Sequence, residues 1–225
     1  GARVGKLPCL ESSASVTSFG RQMIDTTKNY VEAHYPETKV IYGDTDSVFV
    51  WVRDAADDDA AMDVGRQLAQ DLNAFWANEV RATFDIECHL ELEFETHYRR
   101  FLMPTVRGSD VGSKKRYAGL IGRGDDERMV FKGLENVRTD WTLLARGFQQ
   151  ELYHRIFHDE PYENYVREVT AALRAGEVDG ELVYRKRLRR KLEEYQRNVP
   201  PHVQAARLAE ARGLEVPGRG SWVEY

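Results

Sequence analysis

Inward-facing positions recur at three- and four-residue steps through residues 12–34, at Val16, Phe19, Met23, Ile24, Thr27, Tyr30, Val31 and His34. That period predicts one helix, stopped by Pro36. The pattern then shortens to two apolar runs, VIYG and SVFVWV, which predict two strands over Lys39–Val52 around a tight Asp-Thr-Asp corner. The acidic stretch 54–60 suits the positive end of a helix dipole, and a helix is predicted from there to about Ala82. Its inward positions are Val64, Leu68, Leu72, Phe75, Trp76 and Val80. Over Leu90–Thr96 the period is two: Leu90, Leu92 and Phe94 face one side, Glu91, Glu93 and Glu95 the other, which predicts a half-buried strand. Further strands are predicted at about 115–121 and 127–132, joined by the turn Gly122–Asp126. Helices are predicted over Phe148–Phe157 and Tyr162–Leu173, with Pro161 at a helix start, and near 202–211. The Gly and Pro content of 213–220 marks a loop. Mixed sheet and helix gives way to mostly helix near residue 145, so the expected domains are 1–145 and 146–225.

With 225 residues and 42% apolar positions, the chain is expected to fold around one large core or two small ones. Its longest apolar run is far short of a membrane span, and no signal-peptide pattern opens it. No membrane association is expected. Cys9 and Cys88 form no CxxC pair and read as reduced thiols, which suits a cytoplasmic protein. The six histidines show no metal spacing, and Trp51, Trp76 and Trp141 read as core. A net charge of −5 argues against a polyanionic partner, but its distribution changes that picture. Residues 54–95 carry −10, whereas residues 96–225 carry 24 basic against 19 acidic side chains. One part is suited to metal ions and the other to phosphates.

The acidic corner Tyr42-Gly43-Asp44-Thr45-Asp46-Ser47 carries the most chemistry. Two carboxylates between buried apolar half-strands are costly unless they are exposed or bound to cations. Residues two apart on an extended chain point the same way, so Asp44 and Asp46 can converge on divalent metal. Mg2+ takes a few carboxylates together with substrate phosphates. Gly43 leaves room for a ligand or a neighbouring backbone. The chemistry suited is two-metal phosphoryl transfer. A plain turn and the metal-binding Asp-x-Asp of a nucleotide-sugar transferase are competing readings. A calcium loop is excluded, since Val48, Phe49 and Ala55 stand where oxygen ligands, Gly and Glu are needed.

Two basic segments invite phosphate. Alternation across Lys114–Tyr117 would send Lys115 and Tyr117 to one face, Lys114 and Arg116 to the other; ordinary strand-edge lysines are the competing reading. Arg185–Lys191 holds six cations in seven residues, a density that favours an anionic partner over a merely solvated surface. Arg187 and Arg189 are its candidate contacts to a nucleic-acid backbone.

YGDTDS between two hydrophobic half-strands resembles motif C of the family B DNA polymerases. In the family's order follow Lys114-Lys115-Arg116-Tyr117-Ala118-Gly119, similar to its KKxY element, and Lys132-Gly133-Leu134-Glu135 with Arg138 and Asp140, similar to KGxE...RxD. Tyr184–Tyr195 and Pro201–Ala206 resemble the thumb. FLMPT, GSKKRYAGLI, YRKRLRR and EYQRNVPPHV resemble bacterial members most. The resemblance covers nearly the whole chain.

It implies an α+β fold: a palm with an antiparallel sheet packed by helices, then a mostly helical partial thumb. It implies that Asp46 coordinates two Mg2+ ions, that Asp44 supports it, and that Tyr42 lies against the primer terminus. Glu93 or Glu95 falls where the family places a palm carboxylate; a solvated polar face is the competing reading. Lys114, Lys115, Tyr117, Lys132 and Arg138 are the implied DNA contacts. The implied partners are primer-template DNA, a deoxynucleoside triphosphate and, in the longer protein, a sliding clamp. The DxxSLYPS segment, the KxxxNSxYG fingers helix and the exonuclease motifs are absent. The expectation is therefore a C-terminal palm-and-thumb portion that extends no primer alone. A non-catalytic DNA-binding module from an inactivated relative is the alternative; retention of both aspartates argues against it.

Overall fold

The computed structural model describes residues 10–44, 46–105, 108, 113, 115–197, 199–216 and 218–225, without the side chains of 10–13 and 44. The chain divides between Arg99 and Arg100 into two compact units. The first holds helix α1 (Leu10–His34), strands β1 (Thr38–Asp44) and β2 (Ser47–Val52), and helix α2 (Asp58–Phe84). The second holds β3 (Arg100–Leu102), β4 (Tyr117–Ile121), β5 (Arg128–Lys132), α3 (Leu143–Phe157), α4 (Glu163–Ala175), β6 (Arg185–Arg187), α5 (Pro201–Ala211) and β7 (Trp222–Glu224). Helices with small antiparallel sheets make the α+β class expected.

In the first unit, Val31, Leu68 and Leu72 form the core, and Tyr30, Tyr35, Val40, Val50 and Leu92 pack against it. Trp76 is buried one turn beyond Leu72, and its indole N–H donates to Thr27 Oγ1 at 3.0 Å. The α2 boundaries follow local chemistry. Asp57 accepts the Ala60 N–H at 2.8 Å and caps the start, with Asp58 and Asp59 in the first turn. Asp85 closes the end in a left-handed conformation, φ 53°. The apolar stripe of α1 is buried only over its second half: Val16 is 72% and Phe19 53% exposed.

Leu90–Thr96 is not a strand. Its alternation holds, with Leu90, Leu92 and Phe94 half-buried and the intervening glutamates exposed, but it lies on α2 instead of in a sheet. Asn73 of α2 donates to the Leu92 carbonyl and accepts the Leu92 N–H, both at 2.8 Å. Gly65 makes the approach possible, since a Cβ there would stand 2.5 Å from the Phe94 ring.

The second unit has two cores. Ala118 and Leu120 of the β3-β4-β5 sheet pack with Leu134 against Tyr153 and Phe157 of α3. Helix α3 begins at Leu143, before the predicted Phe148, because Thr142 caps it by accepting the Ala145 N–H at 3.2 Å. The other core joins Leu188, Val203, Ala206 and Val223, under α5 and the β6-β7 ribbon. That ribbon and β3, each strand only three residues long, are absent from the sequence reading.

Candidate active site and nucleic-acid interface

Strands β1 and β2 meet across residues 45 and 46, with Asp44 in register with Ser47. Val40 pairs with Val50 but Tyr42 pairs with Phe49, so Ile41 is an extra residue, a β-bulge. The bulge resets the alternation. Thr38 and Val40 face the helices, and so does Gly43, where a Cβ would stand 3.1 Å from Ile24 Cγ2 of α1. Tyr42 is thereby turned to the opposite face, with its ring 5.4 Å from Phe49, which lies 6.2 Å from Tyr98. Unbroken alternation from Val40 would have aimed Tyr42 into the core.

At Gly43 a Cβ would stand 3.1 Å from Ile24 Cγ2 and 3.7 Å from the Ser47 carbonyl oxygen, so the glycine admits a neighbouring side chain and the facing backbone. Two expectations about the hairpin change. Asp46 lies in the exposed turn beyond the end of β1, so the two-apart rule for extended chain does not reach it. Trp51 is not core: it is 52% exposed, with the Arg53 guanidinium 5.5 Å from its ring. Thr45 lies outside the described residues, and Asp44 is described by its backbone alone. Among the described residues no group of three or more Asp, Glu, His or Cys side chains is gathered for a metal. Glu93 and Glu95 are exposed on the segment that crosses α2.

In the second unit the structure brings the KKxY and KGxE segments together. Tyr117 opens β4 directly across from Lys132 at the end of β5. Lys115 does not share a face with Tyr117 as alternation predicts. It precedes the strand in a turn, with φ 63°, because Gly133 lies against it: a Cβ on Gly133 would stand 2.2 Å from the Lys115 carbonyl oxygen. Lys114 lies outside the described residues. Arg116 pairs with Glu135, whose other oxygen accepts the Gln149 amide at 2.8 Å. Burial raises the Glu135 pKa, but hydrogen bonds from Gln149, its own N–H and Arg116 outweigh this and hold it below the usual carboxylate range. Sequence reasoning missed Gln149 because an amide inside a helix pattern carries no signal of its own.

Arg138 grips Asp140 with two bonds, 3.0 and 2.9 Å, and lowers its pKa; Lys186 Nζ stands 4.0 Å from the same carboxylate. The RxD segment is thus tied to the basic run. Within that run Leu188 is 1% exposed, so the cations are split by a buried anchor. Arg187 donates to the Gly220 carbonyl, and the exposed Arg189 and Arg190 present their backbone N–H groups to the Tyr195 hydroxyl. Across the ribbon Trp222 is paired with Arg187 and lies 5.5 Å from the Arg185 guanidinium. Sequence reading left Trp222 unassigned, since one aromatic after a Gly-rich loop gives no period.

The sequence model of DNA polymerase family B matches residues 1–225. The chain belongs to DNA polymerase family B. This family B chain is 57% identical over 215 residues to DNA polymerase II of Escherichia coli (strain K12), covering 93% of the chain and 27% of that protein. It is 34% identical over 238 residues to the DNA polymerase delta catalytic subunit of Glycine max, covering 100% of the chain and 20% of that protein. The solved family B DNA polymerase of the hyperthermophilic archaeon Pyrobaculum calidifontis matches 98% of the chain with a TM-score of 0.56 at 29% identity, over 25% of its own length. The family B chain therefore spans about a quarter of the length of these relatives. No helix among its described residues is long and apolar enough to cross a membrane.

Proposed function

We propose that the chain is the palm (1–145) and partial thumb (146–225) of a DNA-directed DNA polymerase that adds deoxynucleotides to a primer 3′-hydroxyl. The observation that carries this is the hairpin: in YGDTDS, Asp44 and Ser47 face each other at the ends of two antiparallel strands, in a chain matched along its whole length by family B. The carboxylate of Asp46, exposed at the turn, suits divalent metal, since Mg2+ binds through one or two carboxylates plus substrate phosphates. Asp46 and Asp44 would hold two Mg2+ ions, which when bound neutralise the charge that develops on the reacting phosphate.

The chain's own residues bind and orient. Tyr42, turned away from the helices by the bulge, supports the primer terminus. Lys114, Lys115, Tyr117 and Lys132 hold the duplex near its end, and Arg138, Arg187 and Arg189 serve the phosphates farther along, without sequence preference. Positioning of two reactants and fixed charge account for the rate. Because the chain is about a quarter of its relatives' length, activity is assigned to the longer protein, with the chain alone extending no primer. The cytoplasm beside the nucleoid and a sliding clamp partner complete the reading.

The test is Asp46→Asn in the full-length protein with Mg2+, primer-template and deoxynucleotides. Templated incorporation should be lost and duplex binding kept. Undiminished incorporation would refute the metal role, and an inactive wild type that still binds duplex would favour a non-catalytic module.

A further inference from the structure

Arg116 follows Lys115 directly and precedes Tyr117, so by sequence alone a cation-rich segment offers a third charge to DNA. The structure uses it otherwise. Its guanidinium is engaged by Glu135, which is only 19% exposed at the side chain. Glu135 in turn accepts from Gln149, while Gln149 Oε1 accepts the Asn136 N–H at 2.9 Å and Arg146 Nε donates to the Asn136 carbonyl at 3.1 Å. Helix α3 therefore grips the turn 135–137 at both its side chain and its backbone. From that turn the ion pair reaches across to Arg116.

The far end of this chain of contacts is a strained one. Lys115 holds a left-handed backbone, φ 63°, that side-chain-bearing residues avoid. Such a conformation persists only where neighbours over-determine it. Gly133 supplies the space beneath Lys115, the Tyr117–Lys132 pairing fixes the strand beyond, and Arg116 is the tether between them.

We propose that Glu135 and Gln149 are positioning residues for primer-end binding: they hold Arg116, and through it set the backbone that presents Lys115 and Tyr117. This rests on the polymerase reading. It makes a claim of opposite sign to simple electrostatics. If charge alone mattered, removing Glu135 would deprive a DNA-facing region of an anion, release a cation, and tighten binding. If Glu135 positions the turn, its loss weakens binding.

The experiment uses the full-length polymerase, with primer-template affinity measured by fluorescence anisotropy and incorporation measured at saturating primer-template. Glu135→Gln is expected to weaken primer-template binding about tenfold, with kcat and the KM for deoxynucleotide unchanged. Gln149→Met, which keeps the helix and removes both amide contacts, should weaken it in the same direction. Arg116→Glu should be weak alone and recover when combined with Glu135→Arg, a rescue that a direct Arg116–phosphate contact forbids. Glu135→Gln and Gln149→Met variants that bind DNA as well as or better than wild type would overturn the proposal. Should Glu135→Gln fail to fold, Gln149→Met decides. A wild-type protein that incorporates nothing sinks the polymerase reading itself, whereas an active wild type with unaffected variants sinks only this inference.

Discussion

Asn73 and Leu92 exchange two hydrogen bonds of 2.8 Å, one in each direction, so a helix side chain takes the place that a neighbouring strand would fill. The side-chain amide offers an NH2 donor and a carbonyl acceptor with the spacing of a peptide unit. It satisfies both backbone groups of Leu92 while that side chain enters the core of the first unit.

Asn73→Ala should therefore release the segment that crosses α2. Two half-buried backbone groups lose their partner, at about 1–2 kcal/mol, which is roughly a tenfold loss of amide protection. Hydrogen exchange at the Leu92 N–H reads it directly. Unchanged protection there would mean the segment is held by Leu92 and Phe94 packing alone.

Gly65→Ala places a methyl carbon 2.5 Å from the Phe94 ring. Overpacking of this kind costs about 1–3 kcal/mol. Urea denaturation should show the loss in Gly65→Ala and a partial recovery in Gly65→Ala/Phe94→Ala, because the second change removes the clashing ring. Simple additivity of the two losses would contradict the contact.

His158 faces acceptors with both ring nitrogens: the His154 carbonyl at Nδ1 and the Glu127 carboxylate at Nε2, each at 2.7 Å. Only the imidazolium donates to both. The Glu127 bond, then the His154 bond, raise its pKa above the ordinary 6.5 against a smaller effect of burial, and Glu160 adds to the pull. A raised folded-state value stabilises below the unfolded pKa and fades as pH climbs through the folded one. Stability lost between wild type and His158→Gln should be full below pH 6.5 and shrink as pH climbs through the raised folded-state value. NMR titration of the ring supplies the folded value; a midpoint below 6.5 would refute the pairing.

Salt dependence separates phosphate ligands from tethers. In the full-length protein, Lys115→Ala, Arg187→Ala and Arg189→Ala should each lower the slope of log affinity against log salt by about 0.9. Arg116→Ala should lower affinity and leave the slope alone. Filter binding of primer-template over a salt series distinguishes the two, and a slope change at Arg116 equal to that at Lys115 would make Arg116 a phosphate ligand.

The long periodic helices and the acidic hairpin were legible in the sequence because each has a strong local cause: three- and four-residue recurrence, or apolar runs around a polar corner. The segment Leu90–Thr96 misled because alternation reports a half-buried extended chain, and says nothing of what covers it; here the cover is Asn73 and Gly65 of a helix. Ile41 was silent because a bulge inside an apolar run leaves no polar mark, although it decides which way Tyr42 faces. At the candidate interface the cations were visible as composition, but the Arg116–Glu135 and Arg138–Asp140 pairs depend on contacts across 19 residues or on a loop shape, which no period encodes. Three-residue strands such as β6 and β7 are too short to show alternation at all.

Leu188 has a mechanical consequence for the arginines and lysines around it. Sliding that segment by one residue would drive a charged side chain into an apolar pocket and push a leucine into water. Its charges accordingly behave as teeth on a fixed rack and not as bristles on a soft brush.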